Sequence, residues 1–322
     1  MSESYYQQIS QWCEEHGIAL AGHPGESDDI GLLKYFYIPG QDLVWRYVAP
    51  EDEKALVGRE STMGKCSSDA ARHSGKRRNS NECFGCCGPN DIQWAFTVDN
   101  MKWYLDWMFV CGVNLLYPHA FFYSIDGEVR SGERPPDVGP NNTFWKYYKN
   151  IATYIKRMCW LMTDSYNVTS TAVLCEEVYL PWESVKELYC NQIEFNYLEK
   201  EVLTRNNCRE EAFYGMVQLA CSDYKDGSGE CWDAWDGTQK EVSWHVGENS
   251  ICTSLVLGRR ESKILCINNP TVIDTSNQFD ISGILREGVN TIKINVSNTP
   301  ANKLENTKLA SGILGAVRLL VF

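Results

Sequence analysis

Short apolar runs alternate with amphipathic stretches of helical spacing as far as about residue 165, and beyond about residue 240 the patterning becomes period two. In the first region SYYQQISQWCEEHG reads as a helix closed by Gly17, GIALAGH as a short strand, and DLVWRYV as another strand. STMGKCSSDAARHSG suits a helix of small residues closed by Gly75, and KRRNSNECFG a strand running into a Gly-rich loop. TVDNMKWYLDWMFVCG follows as a helix with Thr97 or Asp99 as N-cap and Gly112 at its end. VNLLYPHAFFY is the clearest strand, and FWKYYKNIATYIKRMCWLM is a long amphipathic helix. Such alternation implies a parallel sheet or barrel. About four strand–helix units are present, where a closed (β/α)8 barrel needs eight and about 250 residues.

From 168 to 230 the pattern shortens to TSTAVLCEE as a strand, a helix within ESVKELYCNQIEFNYLEKEVL, and VQLACSDY as a further strand. DYKDGSGECWDAWDG is turn-rich and reads as a boundary. TSLVLG, KILCIN, NTIKINVSN and ILGAVRLLVF then alternate with turns at Gly258, Asn268–Pro270 and Gly288, which is the signature of a β-sandwich. The expected division is 1–167 for a barrel-type α/β part, 168–235 for a reduced α/β linker and 236–322 for a β-sandwich.

Charge and leader signals limit the partners. Acidic residues outnumber basic ones 42 to 30. The only dense basic run is Arg72 to Arg78, so a nucleic-acid partner is not expected. The N-terminus lacks a secretory pattern and no apolar run reaches the length of a membrane span, so no membrane association is expected. The 14 cysteines are mostly scattered singly within apolar stretches, as suits small core residues in a reducing cytoplasm. Aromatics reach 12% of the chain, enough to line a ligand site.

Polar residues gather after the strands, at 23–29, 82–88 and 119–127, where the C-terminal rim of a barrel carries its chemistry. Glu82 ends a strand before a Gly-flanked loop and suits a nucleophile or general base. The alternative is a structural glutamate paired with Arg72, Arg77 or Arg78. The loop holding His23, Glu26, Asp28 and Asp29 can bind sugar hydroxyls, hold Ca²⁺ through oxygen ligands or supply a general acid, but equally reads as a solvated acidic loop. Its spacing is not that of an EF-hand, and no cofactor is expected. Asp42 and Trp45 occupy the next rim position, an acceptor beside an indole, as a sugar subsite uses. His119, Tyr123 and Asp126 follow the most apolar strand, where a lone histidine is as readily structural. Cys83, Cys86 and Cys87 form CFGCC without a second Cys/His pair, so they read as a thiol-rich turn and no metal is expected there. Walker A, GxGxxG, GxSxG and HExxH motifs do not occur where they would carry chemistry.

WCEEHGIALAGH, YFYIPGQDLVW, KCSSDAARHSGKRRNSNECFG, DNMKWYLDWMFVCGVNLLYPHAFFYS and RPPDVGPNNTFWKYY together resemble bacterial (β/α)8 glycoside hydrolases of the α-L-rhamnosidase-like family 106 and family 2 type. The resemblance covers about residues 8 to 165 in the order of the second half of such a barrel, about strands 5–8. NQFDISGILREGVNTIKINVSNTPAN and ASGILGAVRLLVF resemble the galactose-binding-type jelly-roll sandwich that often ends these enzymes. The resemblance implies a glycoside hydrolase homologue with Glu82 as the catalytic carboxylate, and His23, Asp42, Asn114, His119, Tyr123 and Trp145 around the sugar. The partner acid of such enzymes comes from an earlier strand, and Glu26 is the in-chain substitute. A homo-oligomer or a separately encoded N-terminal barrel half is then expected to complete the site. The alternative is a non-catalytic carbohydrate-binding protein or an inactive remnant of a glycosidase.

Overall fold

The computed structural model describes residues 2–205 and 227–266, apart from 44–47, 50–54, 90–91, 123, 125–136, 166, 168, 170, 247–250 and 254–259. After helix α1 (Gln7–Glu15), four strands form a parallel sheet: β1 (Ala21–Gly22), β2 (Ile38–Asp42), β3 (Ser80–Cys83) and β4 (Leu116–Pro118). Their spatial order is their sequence order. Each new strand is thus added to the same edge, the progression of a barrel wall rather than of a doubly wound sheet whose order reverses. A 3-10 turn (Ile30–Tyr35) links β1 to β2, while α2 (Met63–His73) and α3 (Val98–Val110) link the later strands, and α4 (Tyr148–Met162) follows β4.

These elements form for local reasons. Thr97 caps α3 in a reciprocal capping box with Asn100. Gly112, at φ +96, turns the chain out of α3 where a Cβ would meet the Arg72 guanidinium. A Cβ at Gly40 would lie 2.6 Å from Ser80 Oγ and 2.7 Å from Gly22 O, so glycine lets β1, β2 and β3 approach. The expected strand at DLVWRYV is displaced to Ile38–Asp42, a stretch that Pro39 and Gly40 disguise because both are poor strand formers. Residues 44–47 of that expectation lie outside the described residues.

Two apolar clusters hold this part together. One packs Met101, Leu105 and Met108 of α3 and Ile151 and Tyr154 of α4 against Cys83, Phe84 and Leu116 at the sheet. The other joins Cys66 and Ala70 of α2 to Ile30, Leu33 and Phe36 and to a βαβ piece. That piece consists of β5 (Ala172–Cys175), α5 (Trp182–Cys190) and β6 (Asn196–Glu199), with β5 and β6 parallel, and is followed by α6 (Lys200–Arg205). Nine of the eleven residues of α2 are buried, because the sheet lies on one side and the βαβ piece on the other. Small side chains (Gly64, Cys66, Ser67, Ser68, Ala70, Ala71) permit both approaches.

A separate antiparallel sheet has the order β10-β7-β8-β9, from β7 (Gly227–Trp232), β8 (Gln239–Val246), β9 (Ile251–Cys252) and β10 (Ile264–Cys266). β7 corrects the reading of this stretch as turns: GSGECW is a central strand, and Gly229 is small where a Cβ would meet Cys266 O and the Trp244 ring. VQLACSDY, most of TSLVLG and everything after residue 266 lie outside the described residues. The chain is therefore mixed α/β, with parallel and antiparallel strands in separate sheets. Among the described residues no helix is long and apolar enough to cross a membrane.

Candidate functional site at the strand ends

Strand parity sorts the side chains at the end of the parallel sheet. Gln41, Asn81 and Leu116 form one row in register, buried against the helices. One position further along, Asp42, Glu82 and Tyr117 form the next row on the opposite face. There Asp42 and Glu82 are half-buried and Tyr117 is 45% exposed. His23 follows the last residue of β1 and is exposed.

Three of these groups converge. A ring nitrogen of His23 and one carboxylate oxygen each of Asp42 and Glu82 lie within 4.8 Å of one another. His23 Nδ1 lies 2.8 Å from the carbonyl of Pro24, so in the neutral ring Nδ1–H donates there and Nε2 keeps its lone pair. One imidazole and two carboxylates can move a proton between them, accept sugar hydroxyls, or hold a divalent cation. Among the described residues no comparable cluster forms at Cys83, Cys86 and Cys87, which are buried and joined in no disulfide. Burial pushes the Cys83 thiol well above its ordinary value, which keeps it inert.

The arginines near Glu82 are engaged elsewhere. Arg72 pairs with Asp69 at 2.5 Å, Arg77 with Asp164 at 2.6 Å, and Arg78 donates to Asn114 O and Thr163 Oγ1. The ion pair offered as the alternative for Glu82 is therefore not formed with any of them.

The remaining expected site residues divide. Glu26 is 58% exposed and pairs with Arg59 at 2.8 Å, an arginine that also binds the buried Asp28 at 2.6 Å. Asp29 opens the 3-10 turn, and burial together with the adjacent Asp28 charge raises its carboxyl above the ordinary range. Asn114 departs from the expected sugar contact. It precedes β4, at the opposite end from the rim, where its side chain accepts from Asn79 N and donates to Arg77 O, tying β3 to β4. His119 follows β4 at the rim, its backbone N–H donating to Cys83 O at 2.7 Å and its ring packing over Gly85. Trp45 and Tyr123 lie outside the described residues.

Trp145 stands at the rim in an aromatic group that includes residues the sequence reading passed over. Its ring stacks on Tyr148 at 5.2 Å, and Phe121 meets both edge-on at 5.5 Å. Burial, with the Cys83 thiol nearby, pushes the Tyr148 hydroxyl up to about 12. Tyr117 was also missed, although its place two residues before His119 in a strand assigns it to the face of Glu82.

Compared with family models and with curated proteins, the chain matches none. Among solved structures it is similar to a rhamnosidase from Novosphingobium sp. PP1Y, at 17% identity and a TM-score of 0.48, over 70% of this chain and 21% of that one. The chain thus spans about a fifth of the length of that structure.

Proposed function

We propose that the strand-end cluster is a carbohydrate site of the glycoside-hydrolase type, with Glu82 and Asp42 as its paired carboxylates. The observation that carries this reading is the convergence of His23, Asp42 and Glu82 within 4.8 Å at the ends of three adjacent parallel strands. Paired carboxylates flanking the scissile bond are what glycoside cleavage requires. Asp42 replaces Glu26 as partner acid, because Glu26 is committed to Arg59 whereas Asp42 is the register partner of Glu82. The close approach of the two acids supports a retaining arrangement, since an inverting pair stands roughly 6.5–9.5 Å apart to admit water. Glu82 then attacks the anomeric carbon as protonated Asp42 gives its proton to the leaving oxygen, and Asp42, now a carboxylate, takes a proton from the water that releases the sugar from Glu82, while His23 Nε2 accepts a hydrogen bond from a hydroxyl of the bound sugar.

A second reading, carbohydrate binding without cleavage, is favoured by the same tightness. Ligand atoms this close also suit a divalent cation that chelates sugar hydroxyls. Release of nitrophenol from a panel of aryl glycosides by the purified chain separates the two. Hydrolysis abolished by Glu82→Gln and by Asp42→Asn supports the first reading. Activity that survives Glu82→Gln overturns it.

A further inference from the structure

The aromatic group at the rim is held more firmly than surface rings need to be. Asp137, fully buried, accepts from Gly139 N at 2.6 Å and from the Asn141 side chain, while Asn142 donates to the Asp137 carbonyl at 2.8 Å. The same segment is stitched to the chain after β4, for Val138 N donates to Ala120 O at 2.9 Å and Asn141 Nδ2 donates to Phe122 O at 3.1 Å. Gly139 sits so close to Phe121 that a Cβ there would lie 3.1 Å from it. A buried carboxylate and a network of hydrogen bonds therefore fix Phe121 against the turn that carries Trp145.

What they fix is left open to solvent. Phe121 is 54% exposed and Trp145 39% exposed, beside Tyr117 on the same rim at 45%. Trp145 and Tyr148 stack on one another with 26° between their planes, so the part-exposed indole is backed by a fixed ring and has little conformational freedom to lose. Hydroxyl-bearing rings stack by their C–H faces on such surfaces and leave their hydroxyls in water.

We propose that Phe121, Trp145 and Tyr148 form a stacking subsite for a pyranose ring of an oligosaccharide, a ring beyond the one held at His23, Asp42 and Glu82. This rests on the carbohydrate reading of the strand-end cluster and adds that the ligand is an extended glycan. Position supports it: Tyr117 is the cross-strand partner of Glu82, and Phe121 follows it by four residues. Tyr148 packs against the buried cluster that contains Cys83, the residue after Glu82.

The test is binding of the full chain to an array of immobilised plant and bacterial oligosaccharides, with circular dichroism to establish that each variant is folded. Wild type is expected to bind at least one oligosaccharide class, and Trp145→Ala to bind it about three- to tenfold more weakly. Trp145→Phe is expected to recover most of the loss, and Glu26→Gln, whose carboxylate is engaged by Arg59, to bind as wild type does. A folded wild type that binds nothing on the array, or Trp145→Ala and Phe121→Ala variants that bind as wild type does, overturns the subsite. Binding lost in Trp145→Ala alongside no Glu82-dependent hydrolysis would sink the catalytic reading alone. Glu82-dependent hydrolysis with binding untouched by Trp145→Ala would sink the subsite alone.

Discussion

Asp42 and Glu82 stand directly opposite one another in the parallel ladder of β2 and β3. Like charges placed opposite each other destabilise a sheet, so a chain arranged for stability alone would put an uncharged partner at one of the two positions. The arrangement makes sense where a proton, a cation or a polar ligand is shared between them, and His23 supplies the third side of that space.

Glu26 and Glu82 are expected to behave oppositely on substitution. The Glu26–Arg59 pair is largely exposed, at 58% and 41%, and exposed pairs contribute about 0–1 kcal/mol. Glu26→Gln should leave both urea stability and aryl-glycoside hydrolysis near wild type. Glu82→Gln should lower hydrolysis by about 100- to 10 000-fold. A large loss of turnover in Glu26→Gln would return that residue to the role the sequence suggested.

Cation binding is the second outcome to measure. An imidazole beside two carboxylates suits a divalent transition ion such as Mn²⁺ better than Ca²⁺, which takes oxygen ligands. After chelation with EDTA, adding Mn²⁺ should raise the melting temperature. At a hundredfold excess over Kd the gain is about 2.7 kcal/mol. The shift should vanish in His23→Ala and in Asp42→Asn. An unchanged melting temperature across Mn²⁺, Zn²⁺ and Ca²⁺ would leave the cluster as acid–base machinery only.

Asp69 is expected to be among the most sensitive stability positions. It is fully buried, lies 3.6 Å from Lys65 Nζ and 2.5 Å from Arg72 Nη1, and accepts from Tyr197 N at 2.8 Å. Asp69→Ala strands the buried Lys65 charge near a lost partner and frees a strand N–H, so unfolding in urea should show a loss of about 3–5 kcal/mol. A loss below about 1 kcal/mol would mean that Glu194, 2.9 Å from Lys65, suffices alone.

His73 predicts a pH dependence. Burial lowers its pKa below the ordinary 6.5, against the attraction of Asp69 and with the added repulsion of Arg72 and Lys65. Below pH 6.5 the unfolded chain therefore binds more protons than the native one, and stability rises with pH through this window. Its contribution is complete above the unfolded value and is lost as pH falls through the lowered native value. Comparing urea unfolding at pH 5 and pH 7.5, His73→Phe should shrink the difference seen in wild type. An unchanged difference would assign the pH effect to carboxylates.

Much of the parallel part was legible because its signals are local. Thr97 and Gly112 bracket α3 as read, and the small residues of α2 were legible as a helix, though not its close packing on two sides. Glu82 and His119 were legible as strand ends. The partnership of Asp42 with Glu82 was not, because register between strands forty residues apart is set by the pairing of whole strands. β2 itself was hidden by Pro39 and Gly40, and β7 by its Gly-Ser-Gly start, since close packing overrides local propensity there. Asn114 misled for a related reason: its place in a motif gave no sign of which end of β4 it occupies, and it lies at the end away from the rim.

The side chain of Asp69 grips the backbone of β6 from across 128 positions of sequence. That grip has a consequence for anyone dividing the chain for expression. A fragment ending after α4 would keep the acid and lose the strand that answers it, along with the apolar cover of Phe195 and Tyr197 over Cys66 and Ala70. α2 would then present a tightly packed flank of small residues to water with nothing to fill it. The βαβ piece and the wall of the parallel sheet are welded through one helix, and neither is a cassette that can be lifted out.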